Sequence, residues 1–367
     1  MSMDCAYRGS KLGLLIYGQS HSETIGVYIS GLPEGVEPDE NFIRSFMARR
    51  APGRNAWSTP RKENDEVFFE RAGKTLHGYI VNNNTKPGDY ASIMNCHRPS
   101  HADYTAGILY GDEAAKSGGG IFSGRMTAPL CIAGAIAICE LKKRGIDIHA
   151  HIRQIGDVRD DMYFDHEPMD IEFMKALEKC AGNDFPAISQ EAGERMKGVI
   201  ESARMEEDSV GGVVECVVYG MPAGVGGPIF DGIEGKMAQM LYAVPAVKGV
   251  EFGNGFAGSG LRGSENNDAF RYDDKGTVRL KTNHSGGILG GISVGDAAPI
   301  VFACAVKPTP SIAKTQETVN LAMKTNTEIS VHGRHDPCIV PRCVPVIEAA
   351  GALALYDMIL DTEACDG

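Results

Sequence analysis

Residues 331–338, Val331-His332-Gly333-Arg334-His335-Asp336-Pro337-Cys338, set a guanidinium, two imidazoles and a carboxylate within five consecutive positions. They stand between a strand-like run and an apolar helical stretch. Charge packed so densely beside segments that must be buried marks a site that handles an anion and moves protons. Three further clusters share this character: Gly18-Gln19-Ser20-His21, Arg49-Arg50-Ala51-Pro52-Gly53 and Arg98-Pro99-Ser100-His101-Ala102-Asp103-Tyr104. They are spread from residue 18 to residue 336, so the chain must fold as one body if they are to share a pocket. That requirement favours one large α+β domain over residues 1–367, with helices packed between or against antiparallel sheets.

Periodicity places the clusters on elements. Leu12 to Tyr17 and Gly26 to Ser30 read as strands on either side of the Gln19-Ser20-His21 turn. Asp39 caps a helix whose apolar stripe is Phe42, Ile43, Phe46 and Met47, and which ends on Arg49 and Arg50 before Pro52-Gly53. Ala128 to Lys143 reads as a helix apolar on nearly every face, closed by Gly145, and therefore buried. A polar region follows from Asp157 to Asp208, with helices near 171–179 and 190–203. Alternation marks strands at Val210 to Val218 and Ile300 to Val306, and a strongly apolar helix closes the chain from Val344 to Leu360.

Composition narrows the function classes. A hydrophobic share of 43% and a charged share of 23% in 367 residues fit a globular enzyme with a sizeable core. The net charge of −12 argues against nucleic acid or anionic membranes as partners, while leaving room for local positive pockets. Ten scattered cysteines with no CxxC pair read as reduced cytoplasmic thiols. The start lacks a signal-peptide pattern, and the stretch near Ala128 to Leu141 reads as too short to span a bilayer.

Each cluster has a functional and a structural reading. A lone imidazole such as His21 on a turn reads first as a structural residue. Arg49 and Arg50 either bind an anion or answer the dipole at a helix C-terminus. In 98–104 the rigid Pro99 fixes Arg98 relative to His101, so both can meet one ligand. Gly118 to Arg125 is either a phosphate cradle at a helix N-terminus or a flexible connection. Gly253 to Gly258 matches G-x-G-x-x-G, but a polar stretch follows where a helix should begin, so a dinucleotide reading is rejected. Glycines at 286–291 admit a planar cofactor or form a tight hairpin. Lys307-Pro308-Thr309-Pro310-Ser311 binds a phosphate or polar ring edge, or is a strand-end loop. The His and Cys spacing at 332–343 fits no familiar zinc site.

Together these segments resemble the chorismate synthase family. The family's Arg-Pro-Gly-His-Ala-Asp-Tyr-Thr is matched from Arg98 except at Ser100, and Arg262-Gly263-Ser264 is typical of it. Gly-Glu-Ser-His-Gly is met with Gln19 and Ser22 in place of Glu and Gly. Ile121 stands where many members carry arginine, and Ala56 aligns with another family arginine. The resemblance implies a β-α-β-α sandwich, usually a homotetramer, that converts 5-enolpyruvylshikimate 3-phosphate to chorismate by 1,4-elimination of phosphate with reduced FMN. It implies His21 as acid for the leaving phosphate, His101 beside the flavin, and Asp336 taking the proton back. Arg49, Arg50, Arg98, Arg125 and Arg334 would bind the substrate's phosphate and carboxylates. Ile121, Phe122, Ser123, Pro245, Ala246 and Gly290 would contact FMN, with Lys307, Pro308, Thr309, Pro310, Ser311 and again Arg334. With no nicotinamide site evident, a separate flavin reductase is the expected electron source. The alternatives are an NAD(P)H-dependent flavin reductase and a non-catalytic phosphometabolite-binding protein.

Overall fold

The structure is a computed structural model that describes residues 5–51, 65–82, 96–111, 119–333 and 336–365. The chain opens with strands β1 (Cys5–Arg8), β2 (Gly13–Tyr17) and β3 (Thr24–Ser30), and with helix α1 (Glu40–Arg50). Strands β4 (Val67–Ala72) and β5 (Thr75–Val81) complete an antiparallel sheet of order β1-β2-β3-β5-β4. Alternate residues Ile25, Val27 and Ile29 of β3, with Leu76 and Ile80 of β5, face inward and are buried. The α1 start is as expected: the Asp39 carboxylate accepts the N–H groups of Asn41 and Phe42 at 3.1 and 3.0 Å.

Helices α2 (Asp103–Tyr110) and α3 (Thr127–Lys143) follow, then β6 (Asp147–Ile155), β7 (Val158–Arg159), α4 (Ile171–Ala181), α5 (Gln190–Met205) and β8 (Gly212–Tyr219). Next come β9 (Ala223–Gly226), α6 (Ile233–Tyr242), β10 (Val247–Phe252), the one-turn helices α7 (Gly255–Gly258) and α8 (Gly263–Asn266), β11 (Phe270–Tyr272) and β12 (Val278–Leu280). The chain ends with β13 (Ile288–Leu289), β14 (Ile292–Val294), β15 (Ile300–Val306), β16 (Gln316–Asn320), β17 (Thr325–Ile329) and α9 (Val340–Cys365). The second large sheet has the antiparallel order β10-β15-β8-β6-β7.

Packing sorts these elements into layers. The first sheet covers α3, which packs on α1 and α9; α9 in turn lies on β6 and β8, and α4 and α5 cover the far side of that second sheet. This is the β-α-β-α sandwich. Strand β8 shows how the sequence builds it, for its two faces feed different cores. Val214, Cys216 and Val218 join the main core, while Val217 and Tyr219 join a cluster with Tyr163, Phe173 and Leu177.

The two central helices touch through small residues. A Cβ placed on Gly134 of α3 would lie 2.3 Å from the Cβ of Ala349 and 2.6 Å from its Cα. A Cβ on Gly351 would meet the Phe302 ring of β15 at 2.8 Å. Glycine lets α9 lie against both neighbours at once. By length and composition α3 (with the turn before it) and α9 could each cross a membrane, contrary to the sequence estimate, but their apolar windows are 89% and 100% buried inside the protein. Their hydrophobicity is that of core helices. Helix α9 also starts earlier and ends later than expected. Pro341 sits in the first turn, where its missing N–H has no helical partner to lose.

Two carboxylates lie buried in this apolar helix, and both hold distant backbone. Asp357 accepts the N–H groups of Ser10, Lys11 and Leu12 at 2.7–2.8 Å, fixing the β1–β2 turn. Glu348 accepts Ala150 N–H at 2.8 Å and takes both Arg49 Nη groups at 2.6 and 2.9 Å. On the far side of the second sheet, fully buried His151 lies between Asp160 at 3.1 Å and Glu215 at 3.2 Å. Burial alone would lower the imidazole pKa, but the bonds to the two carboxylates outweigh it and raise it to about 9.

Gly134→Val is expected to cost about 3 kcal/mol or more, because its methyl groups would meet α9 backbone that cannot give way; chemical denaturation measures this. The raised His151 pKa gives stability present in full below about 6.5 and lost as pH rises through about 9. The melting temperature should therefore fall across that window, and His151→Gln should flatten the dependence.

Candidate active site

A cavity of about 550 Å³ opens where several element ends converge: the C-terminal end of α1, the N-terminal ends of α3 and α9, and the segments after α6 and β15. Arg50, Arg98, Arg125, Lys307 and Arg342 line it, with Asp336 the one lining carboxylate among the described residues. Two long helices also direct their N-terminal ends at it, adding partial positive charge. An acidic protein thus carries a cavity whose charged lining is mainly cationic.

Carboxylates behind the wall hold these cations in place. Arg50 is 1% exposed, and its guanidinium pairs with Asp65, which also pairs with Arg125. Burial would raise the Asp65 pKa, but the two guanidiniums outweigh it and hold the group below the usual carboxylate range. Arg125 Nη2 also donates to Asn82 Oδ1 at 2.9 Å. On another wall Arg342 donates to Asp336 Oδ2 at 2.5 Å and to the Arg50 carbonyl at 3.0 Å. This one side chain ties the entrance of α9 to the exit of α1.

The 98–103 segment forms the most tightly specified unit. Arg98 grips Asp103 with Nε at 2.7 Å and Nη2 at 2.6 Å, and its Nη1 donates to Ser311 Oγ at 3.1 Å. His101 Nδ1 lies 2.5 Å from Asp103 Oδ1. Burial would raise the Asp103 pKa, but the bonds from Arg98 and His101 outweigh it and push it well below the ordinary range. The carboxylate is therefore ionised. Arg98 Nη2 also stands 3.0 Å from His101 Nδ1, but the shorter contact to Asp103 favours hydrogen on Nδ1, leaving Nε2 to exchange a proton with a ligand.

Backbone conformation contributes too. Ser100 has φ 59° and Ala246 has φ 75°, both in the left-handed region and both on the cavity wall. The first value accounts for the glycine that the motif otherwise carries there, since a Cβ costs roughly 1–2 kcal/mol in this conformation. Lys307 bridges the two segments, its Nζ donating to the Ser100 carbonyl and its backbone N–H to the Ala246 carbonyl at 3.0 Å. Burial, then nearby Lys248, lowers the Lys307 pKa.

The cavity gathers most of the residues singled out from sequence: Arg50, Arg98, His101, Arg125 and Asp336, the 121–123 segment, Pro245, Ala246, Lys307, Thr309, Pro310 and Ser311. Others stand elsewhere. Arg49, one helical step from Arg50, turns to Glu348. Pro308 faces Gly211. Gly290 sits with Gly291 at the tip of the β13–β14 hairpin, where φ values of 63° and 86° suit a two-residue turn. His21 is not among the lining residues, although its turn is joined to the wall by Ser20 N–H donating to the Gly120 carbonyl at 3.3 Å. Arg334 lies outside the described residues.

Sequence reading missed Asp65, Asn82 and Arg342. Arg342 carried a usable signal: a guanidinium in the first turn of an apolar helix opposes the helix dipole and needs a partner. Asp65 and Asn82 stand in no motif.

Comparison with known proteins converges on one family. The family model described as chorismate synthase matches residues 12–360. Proteins named chorismate synthase from Lancefieldella parvula and Methanocaldococcus jannaschii are each 41% identical, over 96% of this chain and 95% of their own length. One from Korarchaeum cryptofilum is 40% identical over 96% of both. A crystal structure of a chorismate synthase superposes with a TM-score of 0.75 at 25% identity, over 97% of this chain and 93% of that one.

Asp103→Asn removes the charge that fixes the His101 tautomer. Histidine-selective ¹⁵N NMR should find hydrogen on Nδ1 of His101 in the parent protein and a shift toward Nε2–H in the variant.

Proposed function

The chain belongs to the chorismate synthase family of carbon–oxygen lyases, and we propose that the cation-lined cavity is where it eliminates phosphate from 5-enolpyruvylshikimate 3-phosphate. The product is chorismate, at the last common step toward the aromatic amino acids. The observation that carries the assignment is the convergence of Arg50, Arg98, Arg125, Lys307 and Arg342 on one cavity beside His101 and Asp336. The substrate brings a phosphate and two carboxylates, and this wall has the cationic groups to hold all three.

The same cavity suits reduced FMN. Ile121, Phe122, Pro245, Ala246 and Pro310 offer apolar surface for a planar ring, and Lys307, Thr309 and Ser311 offer polar partners for its edge or phosphate. The volume falls within the range of cofactor sites. When bound, the reduced flavin supplies the electron density that assists loss of phosphate from an otherwise unreactive allylic position. The apolar side chains of Ile121, Phe122, Pro245 and Pro310 would keep water from the ring.

The chain's own groups bind, orient and handle protons. Arg98 cannot swing, since Asp103 and Ser311 hold it, so it orients ligand charge rather than following it. Ionised Asp103 keeps hydrogen on His101 Nδ1 and leaves Nε2 to balance charge beside the ring. Asp336, held by Arg342, is suited to receive the proton lost from the substrate ring. His21 is assigned the acid role for the departing phosphate; support comes from the link between its turn and Gly120. The elimination balances: the ring C–H pair becomes a new C=C bond as the existing double bond shifts, the C–O pair leaves with phosphate, a proton is released, and no net oxidation occurs.

A homotetramer is proposed as the working form, supported by the outer face of the first sheet, where Leu15, Tyr28, Phe68 and Val81 are exposed together on neighbouring strands. Cys131, Cys180, Cys216, Cys304, Cys338 and Cys343 are buried as free thiols, which supports a reducing, cytoplasmic setting. A separate flavin reductase is proposed as the electron source.

Anaerobic assay with dithionite-reduced FMN should yield phosphate and chorismate absorbance together. His101→Ala and Asp336→Asn should each lower kcat by about 10²–10⁴-fold. Substrate binding without phosphate release, or NADPH oxidation without chorismate, would overturn the assignment.

A further inference from the structure

Asn82 stands just past β5, and its backbone N–H donates to the Glu23 carbonyl at 2.8 Å, carrying the β3–β5 pairing one residue further. Its side chain faces two ways. Nδ2 donates to the Ser22 carbonyl at 2.7 Å, while Oδ1 accepts from Arg125 Nη2 at 2.9 Å and Nε at 3.3 Å. Chemistry permits only this orientation of the amide: a guanidinium has donors alone, and a backbone carbonyl has acceptors alone. A single side chain thus joins the cavity's Arg125 to the carbonyl of Ser22, the residue that follows His21.

The turn on the other side of that bond is closed on itself. Ser22 Oγ accepts the Gln19 N–H at 2.7 Å, and its hydroxyl lies 2.8 Å from both the Gln19 and Thr24 carbonyls. Gln19 to Ser22 therefore moves as one piece rather than as four independent residues. Ser20 N–H ties the same piece to Gly120, whose neighbours Gly119 and Ile121 line the cavity. On the far side, Arg125 is held by Asp65, which also holds Arg50. A change in how Arg125 is engaged has a short path of hydrogen bonds to the His21 turn, and Asn82 is its middle link.

We propose that Asn82 is a positioning residue that couples the guanidinium of Arg125, where ligand charge is held, to the turn carrying His21. This rests on the reading of Arg125 as an anion-binding group and His21 as a proton donor. Its consequence is that an anion seated at Arg125 sets the disposition of the imidazole, so the acid is in place only when the leaving group is.

Two variants separate the halves of the link. Asn82→Asp keeps an acceptor for Arg125 but turns a carboxylate oxygen toward the Ser22 carbonyl; Asn82→Ala removes both contacts. In the anaerobic assay Asn82→Asp should lower kcat by about tenfold or more while KM moves less, and Asn82→Ala should lower kcat and raise KM. A readout without turnover accompanies this: the rate at which diethyl pyrocarbonate modifies His21, followed by peptide mass spectrometry, with and without saturating inorganic phosphate. In the parent protein phosphate should change that rate by about threefold or more, and in both variants the response should vanish with the fold intact by circular dichroism. A parent protein whose His21 ignores phosphate overturns the coupling, as do variants that keep the parent's response and kcat. If the response behaves as described but no chorismate forms, the coupling stands and the proposed reaction falls.

Discussion

Everything in this molecule is arranged around the contact between Gly134 of α3 and Ala349 of α9. A methyl group at Gly134 would stand 2.3 Å from the Ala349 Cβ, so the two helices are at the closest approach that side chains allow. Gly351 likewise lets α9 approach the second sheet, where an added Cβ would stand 2.8 Å from the Phe302 ring. Fixed between two sheets, both helices start at the same end of the sandwich, where α1 finishes. The cavity exists because those three ends cannot move apart, and its charge follows from what each end carries: Arg50, Arg125 and Arg342.

Holding cations at fixed places in a partly buried site requires carboxylates, and the chain spends them in pairs and triads. Asp65 serves Arg50 and Arg125, Asp103 serves Arg98 and His101, and Asp336 is gripped by Arg342. Removing one member of such a buried set leaves its partner uncompensated, at a typical cost of about 3–5 kcal/mol. The arrangement is better understood as preorganisation than as stability. Guanidiniums already oriented need little rearrangement when a phosphate and two carboxylates arrive.

Much of this was legible in the sequence where the signal is local. The Asp39 cap, the stripe of α1, the apolar α3 and the strand β15 stand within a few positions of their expected bounds, although β15 is buried on both faces, at every position but Ala305, rather than alternating. Helix α9 starts at Val340, four residues before its expected start, and Pro341 is tolerated there because the first turn has no helical partner for its missing N–H. The site divides in the same way. Arg98, His101 and Asp103 interact within five residues and announce themselves as a motif. Asp65 meets Arg125 across 60 residues, and Asn82 meets it across 43, so no window of sequence contains those contacts. Arg49 and Arg50 are adjacent in sequence but point to different partners, one to Glu348 and one to Asp65. His101 and Asp336 share the cavity while His21 adjoins it through its turn, a distinction the sequence had no means of drawing.

The most direct measurement is a crystal structure of the chain grown anaerobically with FMN and 5-enolpyruvylshikimate 3-phosphate. The flavin ring is expected against Ile121, Pro245 and Ala246, with substrate oxygens on the guanidiniums of Arg50 and Arg125. Both ligands bound outside the space between the α1, α3 and α9 ends would contradict the origin of function argued here.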